Sequence, residues 1–100
     1  MEQSVLSKGG VVIRLTDERW THVTEEHSEL AGLRLDVLET ISEPDHIVAG
    51  AAGELLGIRE IEPTKWLVVV YRELDADGFV MTAFATRRGR WFSRRRQLWP

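Results

Sequence analysis

The chain has 100 residues, of which 43% are hydrophobic and 29% charged, so we expect one globular domain with a single core. It contains no cysteine, which excludes a disulfide framework, a thiol nucleophile and a cysteine-based zinc site. No apolar run approaches the roughly 20 residues of a membrane-spanning helix, and residues 1–10 lack the pattern of a signal peptide, so we expect a cytoplasmic protein with no membrane partner.

The net charge of −3 is unevenly distributed along the chain. Residues 1–77 hold all 16 acidic residues and seven Lys or Arg, which gives −9. Residues 78–100 hold six Arg and no acid, which gives +6. A basic segment on an acidic body indicates an anionic partner, most commonly nucleic acid. The alternative is that the basic segment lies on the acidic surface of the protein itself.

The first half of the chain predicts one strand followed by two helices. Residues 11–15 begin with three β-branched residues and are too few for a helix, so they predict a strand. Thr16 is a suitable N-cap for a helix that would extend to about His27. Apolar residues at helical spacing between positions 30 and 41 predict a second helix, which Pro44 ends.

The second half predicts strands. Residues 46–50 and 55–61 are each expected to form one, and residues 65–88 read as an antiparallel hairpin around an Asp-rich turn. After Gly89, the tail interleaves aromatic and basic side chains and is expected either to extend the last strand or to lie across the sheet. These tail residues are Arg90, Trp91, Phe92, Arg94, Arg95, Arg96 and Trp99.

The hairpin has two distinct faces if residues 75–78 form a four-residue loop with Leu74 opposite Phe79. One face is expected to bind a ligand, because it combines hydroxyl groups with large apolar side chains and ends in basic ones. Its residues are Lys65, Leu67, Val69, Tyr71, Thr82, Phe84, Thr86 and Arg88. The other, expected to pack under the helices, is apolar: Trp66, Val68, Val70, Met81, Ala83 and Ala85.

These elements predict an α+β domain in which two N-terminal helices pack on one face of a four- to five-stranded antiparallel sheet. Residues 1–10 are expected to be a flexible N-terminus and residues 11–100 a single domain, with a basic aromatic tail at residues 89–100. The sheet face away from the helices is expected to stay at least partly open.

No nucleotide-binding glycine motif is present, and no cofactor is expected. His22 and His27 are five residues apart, about 140° around a helix, so a metal site is not expected there. Histidine can move protons near neutral pH, while Arg and Lys can hold a phosphate, and together they suit metal-independent RNA cleavage. The candidate catalytic residues are His22, His27, Tyr71, Thr82 and Thr86, and the candidate substrate-binding residues are Arg59, Lys65, Arg87, Arg88, Arg90 and Arg94.

Each candidate also has a purely structural interpretation. His27 shares a helix face with Trp20 and Val23 and suits a packed histidine, whereas His22 suits an exposed one. Thr82 and Thr86 fit the β-propensity of a half-exposed strand, and Tyr71 fits a cross-strand aromatic with its hydroxyl in water.

Four short blocks of sequence carry a resemblance to a known family. They are Arg19-Trp20-x-His22-Val23, His27-Ser28-Glu29, Glu39-Thr40-Ile41-x-x-Pro44-Asp45 and Thr82-Ala83-Phe84-x-Thr86-Arg87-Arg88. Across residues 11–99 the chain resembles phage-type members of the barnase, EndoU, colicin E5/D and RelE-like nuclease fold, small bacterial and phage proteins that are mostly uncharacterised.

The resemblance implies a helix-then-sheet fold and metal-independent ribonuclease chemistry, and some members act as toxins. The positions that match the family's motifs are His22 and His27 on the helix and Thr82, Thr86 and Arg87 on the strand. The family commonly has His-Pro-Glu in the second block, where this chain has Ser28 in place of proline.

The sequence leaves three hypotheses about function open. The first is a metal-independent RNA endonuclease that works by attack of the 2′-hydroxyl. The second is a non-catalytic nucleic-acid-binding domain. The third is a protein-interaction domain whose Arg/Trp tail docks on an acidic partner, such as a cognate antitoxin, or on a second copy in a dimer.

Overall fold

The computed structural model describes residues 2–100 and contains one mixed β-sheet with helices on both of its faces. In chain order the elements are β1 (Glu2–Leu6), β2 (Val12–Thr16), α1 (Asp17–Glu26), a 3-10 turn (Ser28–Leu30), α2 (Arg34–Ser42), β3 (His46–Ala49), β4 (Leu55–Glu62), β5 (Lys65–Glu73), β6 (Asp77–Thr86), α3 (Arg90–Ser93) and β7 (Gln97–Trp99). The strand order is β1-β2-β6-β5-β4-β3-β7, and every neighbouring pair is antiparallel except β2 and β6, which are parallel.

Helix α1 begins where the sequence predicts it. Thr16 Oγ1 accepts a hydrogen bond from the backbone N–H of Arg19 at 3.0 Å, which satisfies one of the free N–H groups of the first turn. The helix ends at Glu26, and the N–H of His27 still donates to the carbonyl of Val23 at 2.8 Å. His27 is therefore the residue at which the chain leaves the helix.

The first face of the sheet, defined by Leu67, Val69 and Tyr71 of β5, belongs to the larger of two hydrophobic cores. All three side chains are fully buried. Their core neighbours from other elements are Ile13, Leu15, Val23, Leu30, Val37, Leu38, Ile41, Val80 and Ala83. Because burying one large aliphatic side chain stabilises the fold by roughly 1.5–3 kcal/mol, this core fixes α1 and α2 relative to the strands.

The second face, defined by Trp66, Val68 and Val70 of β5, is covered by the C-terminal segment, residues 87–99. Phe92 of α3 is only 8% exposed. It packs in a second core with Val48, Leu56, Ile58, Val68 and the partly buried Trp66, Val70, Phe84 and Trp91. Strand β7 then pairs with β3 at the edge of the sheet.

The predicted fold class is wrong. The sheet has seven strands rather than four or five, it is mixed rather than antiparallel, and a third helix covers the face away from α1 and α2, which was expected to stay open. Two of the additional strands come from the chain ends: residues 2–6 form β1 where a flexible N-terminus was predicted, and β7 comes from the tail. Both are short: β1 forms a hairpin with the adjacent β2, whereas β7 obtains its backbone partner from the distant β3, which local periodicity does not reveal.

The two faces of β5 are also exchanged relative to the prediction. Leu67, Val69 and Tyr71, expected to bind a ligand, pack with α1 and α2. Trp66, Val68 and Val70, expected to pack under those helices, lie under the C-terminal segment.

The β5–β6 hairpin is present, but its loop consists of residues 74–77 and begins one residue earlier than predicted. Glu73 lies opposite Gly78, and inside the loop the N–H of Leu74 donates to the carbonyl of Asp77 at 2.7 Å. A Cβ at position 78 would overlap the carbonyl oxygen of Arg72, so only glycine allows the strands to approach this closely.

A β-bulge changes the facing of the rest of β6. Tyr71 lies opposite Val80 and Val70 opposite Thr82, which leaves Met81 as an extra residue. Since side chains alternate along a strand, one extra residue moves every later side chain to the other face. Tyr71 therefore lies on the first face, whereas Thr82 and Thr86 lie on the second, and the predicted shared face of these residues is wrong.

Candidate nucleic-acid interface

A concave, strongly basic surface lies where β6 ends. We call it the basic cleft; its volume is about 570 Å³, and it is lined by Arg87, Arg88, Gly89, Arg90, Trp91 and Arg94. The strand stops because the N–H of Arg88 donates to Thr86 Oγ1 at 3.0 Å instead of continuing the ladder. The chain then turns through Gly89 into α3, which brings Arg90, Trp91 and Arg94 beside Arg87 and Arg88.

The arginines of the basic cleft are mostly uncompensated by carboxylates. Within residues 2–100, Arg88, Arg90 and Arg94 form no ion pair, and all three are exposed. Arg87 Nη2 lies 3.8 Å from Glu62 Oε1, and its Nη1 donates weakly to the carbonyl of Pro63 at 3.5 Å. Guanidinium groups bind phosphate by charge-assisted, often bidentate, hydrogen bonds, so this cluster is suited to a polyanion.

Trp91 provides an aromatic wall for the basic cleft. Its ring centroid lies 5.9 Å from Phe84 and 5.4 Å from Phe92, the latter in an edge-on arrangement. The guanidinium carbon of Arg95 stands 5.7 Å from the centre of the same ring. These contacts fix the orientation of Trp91, which remains partly exposed.

Of the two histidines on α1, His27 alone reaches the second face of the sheet. Its ring centroid lies 6.0 Å from that of Phe84, and its Nδ1 lies 3.6 Å from Glu29 Oε2. His22 is exposed elsewhere on the helix, with its Nδ1 3.6 Å from Glu25 Oε1. The two predicted catalytic histidines therefore have different surroundings.

Thr82 and Thr86 flank Phe84 on the second face, close to the strand position that His27 approaches. Tyr71 is not with them: its side chain is fully buried on the first face, and its hydroxyl has no hydrogen-bond partner within residues 2–100. Burial, reinforced by the charge of Glu73, raises the pKa of this phenol well above its usual range. A role for Tyr71 in positioning a phosphate is inconsistent with this location.

Arg59 and Lys65 lie outside the basic cleft. Arg59 Nη2 is 3.2 Å from Asp36 Oδ1 and its Nη1 is 3.3 Å from Glu39 Oε2, so this arginine joins β4 to α2. Lys65 Nζ lies 3.6 Å from Glu62 at the β4–β5 turn. Of the predicted substrate-binding residues, the structure brings together Arg87, Arg88, Arg90 and Arg94.

Two features of the cleft were not singled out as site features in the sequence. Gly89 forms part of the lining, and a Cβ at this position would lie 3.2 Å from ring atoms of Trp66 and Phe92. Arg95 contacts the Trp91 ring, although nothing in the spacing of the tail distinguishes it from its basic neighbours. The signal that could have indicated Gly89 is its place between two pairs of bulky or charged residues at the end of a strand.

Within residues 2–100, no group of three or more His, Cys, Asp or Glu side chains is arranged to hold a metal ion. No helix in this part of the chain is long and apolar enough to cross a membrane. Comparison with family models, curated proteins and solved structures gives no match. The resemblance to the nuclease fold family therefore stays a prediction, and the geometry of the cleft is what bears on function.

Proposed function

We propose that this protein binds RNA through the basic cleft. The observation that carries the proposal is the convergence of Arg87, Arg88, Arg90 and Arg94 around Trp91 in one concave surface. The guanidinium groups would hold consecutive phosphates, and the tryptophan would accept an unpaired base by stacking. RNA is favoured over other anions because its loops and single strands offer both a phosphate chain and free base faces.

The exposed arginines of the basic cleft also support this proposal because gathering them at one site costs electrostatic free energy. Like charges gathered at one site repel one another, and a domain with 16 acidic residues could have neutralised them more fully by local pairing. Of the four arginines that line the basic cleft, only Arg87 has a carboxylate beside it within the described residues, at 3.8 Å. The others are available to an external polyanion.

Titration of labelled oligouridylate, followed by fluorescence anisotropy at several salt concentrations, tests the proposal. Each phosphate contact contributes a slope of about −0.7 to log K against log salt for a single strand, so four contacts give about −3. Arg88→Ala and Arg94→Ala should each weaken binding and make that slope about 0.7 shallower. Arg19→Ala removes the same charge from α1, outside the cleft, and is the matched control.

A poly-glutamate peptide of equal length distinguishes RNA from an acidic protein partner. We expect the peptide to compete weakly, because it offers neither bidentate phosphates nor bases. Equal competition by the peptide, or equal loss of binding in Arg19→Ala and Arg88→Ala, would overturn the proposal in favour of a protein-interaction domain or nonspecific attraction.

Metal-independent cleavage of RNA is a second candidate function, favoured by the contact of His27 with Phe84, which lies between Thr82 and Thr86 along β6. In this reaction the 2′-oxygen forms a bond to phosphorus and the P–O5′ bond breaks. One group takes the 2′-hydroxyl proton and another gives a proton to the leaving oxygen. Among the predicted catalytic histidines only His27 approaches this site, which is why binding is the better supported function.

Incubation of cellular RNA with the protein in EDTA tests this second candidate. His27→Ala should abolish fragments with cyclic phosphate ends, while His22→Ala, which changes an exposed histidine on the same helix, should leave them. Fragments that persist in His27→Ala would exclude His27 from the chemistry.

A further inference from the structure

A second cleft lies directly beside the basic cleft and shares part of its wall. We call it the histidine cleft; its volume is about 540 Å³. His46, Thr64 and Trp66 line it on one side, and Arg87, Gly89 and Arg90 line both clefts. Each cleft thus has its own tryptophan, Trp91 in the basic cleft and Trp66 in the histidine cleft, beside a shared strip of two arginines and one glycine.

We propose that the two clefts form one continuous path for single-stranded RNA, in which the histidine cleft accepts a second unpaired base between Trp66 and His46. This inference rests on the proposed RNA-binding function and specifies its substrate class. Phosphates lie over Arg87 and Arg90, which face both clefts, and one base enters on each side. Duplex RNA cannot follow this path because its bases are already stacked on one another.

The shape of the shared strip supports the path. Gly89 has a φ of −85° and a ψ of −14°, a conformation open to any residue, so backbone geometry does not require glycine here. A side chain at this position would instead press on the rings of Trp66 and Phe92 at 3.2 Å. Glycine therefore allows the shared strip to pack directly against Trp66, the tryptophan of the histidine cleft.

Thr64 lies in the β4–β5 turn and contributes to the wall of the histidine cleft. It is the one non-glycine residue within residues 2–100 with a positive φ, 60°, and it is β-branched, so its backbone is strained. Its N–H donates to Glu60 Oε2 at 2.9 Å and its hydroxyl donates to the carbonyl of Pro63 at 2.6 Å, and both bonds hold the turn in this form. These local hydrogen bonds therefore fix the position of Thr64 at the cleft wall.

The charges at the β4–β5 turn, beside the histidine cleft, are largely paired. Glu62 stands 3.8 Å from Arg87 and 3.6 Å from Lys65, and Glu60 accepts the Thr64 N–H. Arg90, which forms no ion pair within residues 2–100, is therefore the arginine of the shared strip that is most available to a phosphate. The aromatic and imidazole rings, which carry no negative charge, are left to contact the base.

Binding of a series of oligouridylates, from the dinucleotide to the octanucleotide, tests this path. The wild-type affinity should rise with length until the strand spans both clefts, at roughly 4 nucleotides, the lower end of site sizes for single-strand-binding grooves. His46→Ala and Thr64→Gly, which change only the histidine cleft, should lose about 5-fold or more in affinity for the longer strands, the loss of one stacked base, and keep wild-type affinity for the dinucleotide. His22→Ala is the matched histidine control, and circular dichroism verifies that each variant is folded.

The outcomes separate this inference from the proposed function. If wild-type protein binds no oligouridylate of any length at low salt, the proposed function fails and the path fails with it. If binding is strong and Arg88→Ala weakens it, but His46→Ala and Thr64→Gly bind every length as the wild type does, the basic cleft stands alone and the path is wrong. Equal affinity for an octanucleotide and its duplex would also overturn the path.

Discussion

The hydroxyl of Tyr71, the only tyrosine, lies within the larger core without a hydrogen-bond partner among residues 2–100. A buried polar atom without a partner carries a desolvation cost of about 1–3 kcal/mol. Tyr71→Phe removes the oxygen and keeps the ring, so its unfolding free energy in urea should equal or exceed that of the wild type, by up to about 1 kcal/mol. Leu67→Ala, in the same core, should lose about 2–5 kcal/mol. A loss of more than 1 kcal/mol in Tyr71→Phe would mean that the hydroxyl is satisfied.

Tyr71 also makes the unfolding free energy depend on pH in the alkaline range. Burial, and secondarily the charge of Glu73, raises the pKa of Tyr71 in the folded protein. Above pH about 10 the unfolded chain releases the phenol proton while the folded chain retains it. The contribution of this pKa shift to the unfolding free energy is complete below pH about 10. It is lost as the pH rises, by up to about 1.4 kcal/mol per pH unit, until the pH reaches the pKa of Tyr71 in the folded protein. Urea denaturation should show a steeper fall above pH 10 for the wild type than for Tyr71→Phe; parallel curves would contradict this.

At the scale of single elements, α3 is four residues long, and its stability depends on packing rather than on its own hydrogen bonds. Phe92 anchors it, with ring centroids 5.7 Å from Trp66 and 5.4 Å from Trp91. Phe92→Ala should lower the unfolding free energy by about 3–5 kcal/mol. It should also weaken RNA binding, because Arg90, Trp91 and Arg94 depend on α3 for their positions.

Phe92→Leu is the control for this prediction, since it keeps an apolar side chain in the second core. We expect it to lose less stability than Phe92→Ala and to retain most of the RNA affinity. Urea denaturation and anisotropy measure the two quantities separately. If Phe92→Ala were as stable as wild type, the C-terminal segment would not be held on the sheet by this contact.

The hairpin illustrates which elements the sequence can predict and which it cannot. Alternating apolar residues and an Asp-rich turn were sufficient to predict β5 and β6 and their antiparallel pairing. The register was not predictable, because the loop begins one residue early and Met81 forms a bulge that no composition signal marks. That one extra residue is why Thr82 and Thr86 face the C-terminal segment while Tyr71 faces the helices.

At the scale of the whole molecule, the sequence predicted most elements that depend on local pattern and missed the distant pairings, together with the short β1 that forms a local hairpin with β2. Thr16 capping α1 and the strand order β3 to β6 follow from neighbours in sequence. The parallel pairing of β2 with β6 joins segments more than 60 residues apart, and β7 reaches β3 across half the chain. Neither pairing leaves a periodic signal. The arginine cluster was visible as composition, but its concave arrangement needed α3 and the second core.

The division of charge leads to a final prediction about the balance between stability and function. Arg88, Arg90 and Arg94 share one cleft without carboxylate partners in the described chain, so their mutual repulsion should destabilise the free protein slightly. The double variant Arg88→Gln/Arg94→Gln should therefore be at least as stable as wild type in the absence of RNA. Arg19→Gln/Arg96→Gln is the matched control for the change in net charge, since both residues are exposed and lie outside the cleft lining.

RNA should reverse this order of stability. A ligand that binds only the folded state at a free concentration of 100 times its Kd adds about 2.7 kcal/mol to the unfolding free energy. Wild type should gain this amount from octauridylate in urea denaturation or as a rise in Tm, and so should the control variant, whereas the double cleft variant should gain little. If the cleft variant were instead less stable than wild type without RNA by more than 1 kcal/mol, the arginines would be holding the fold together. Their convergence around Trp91 would then need no external polyanion to explain it.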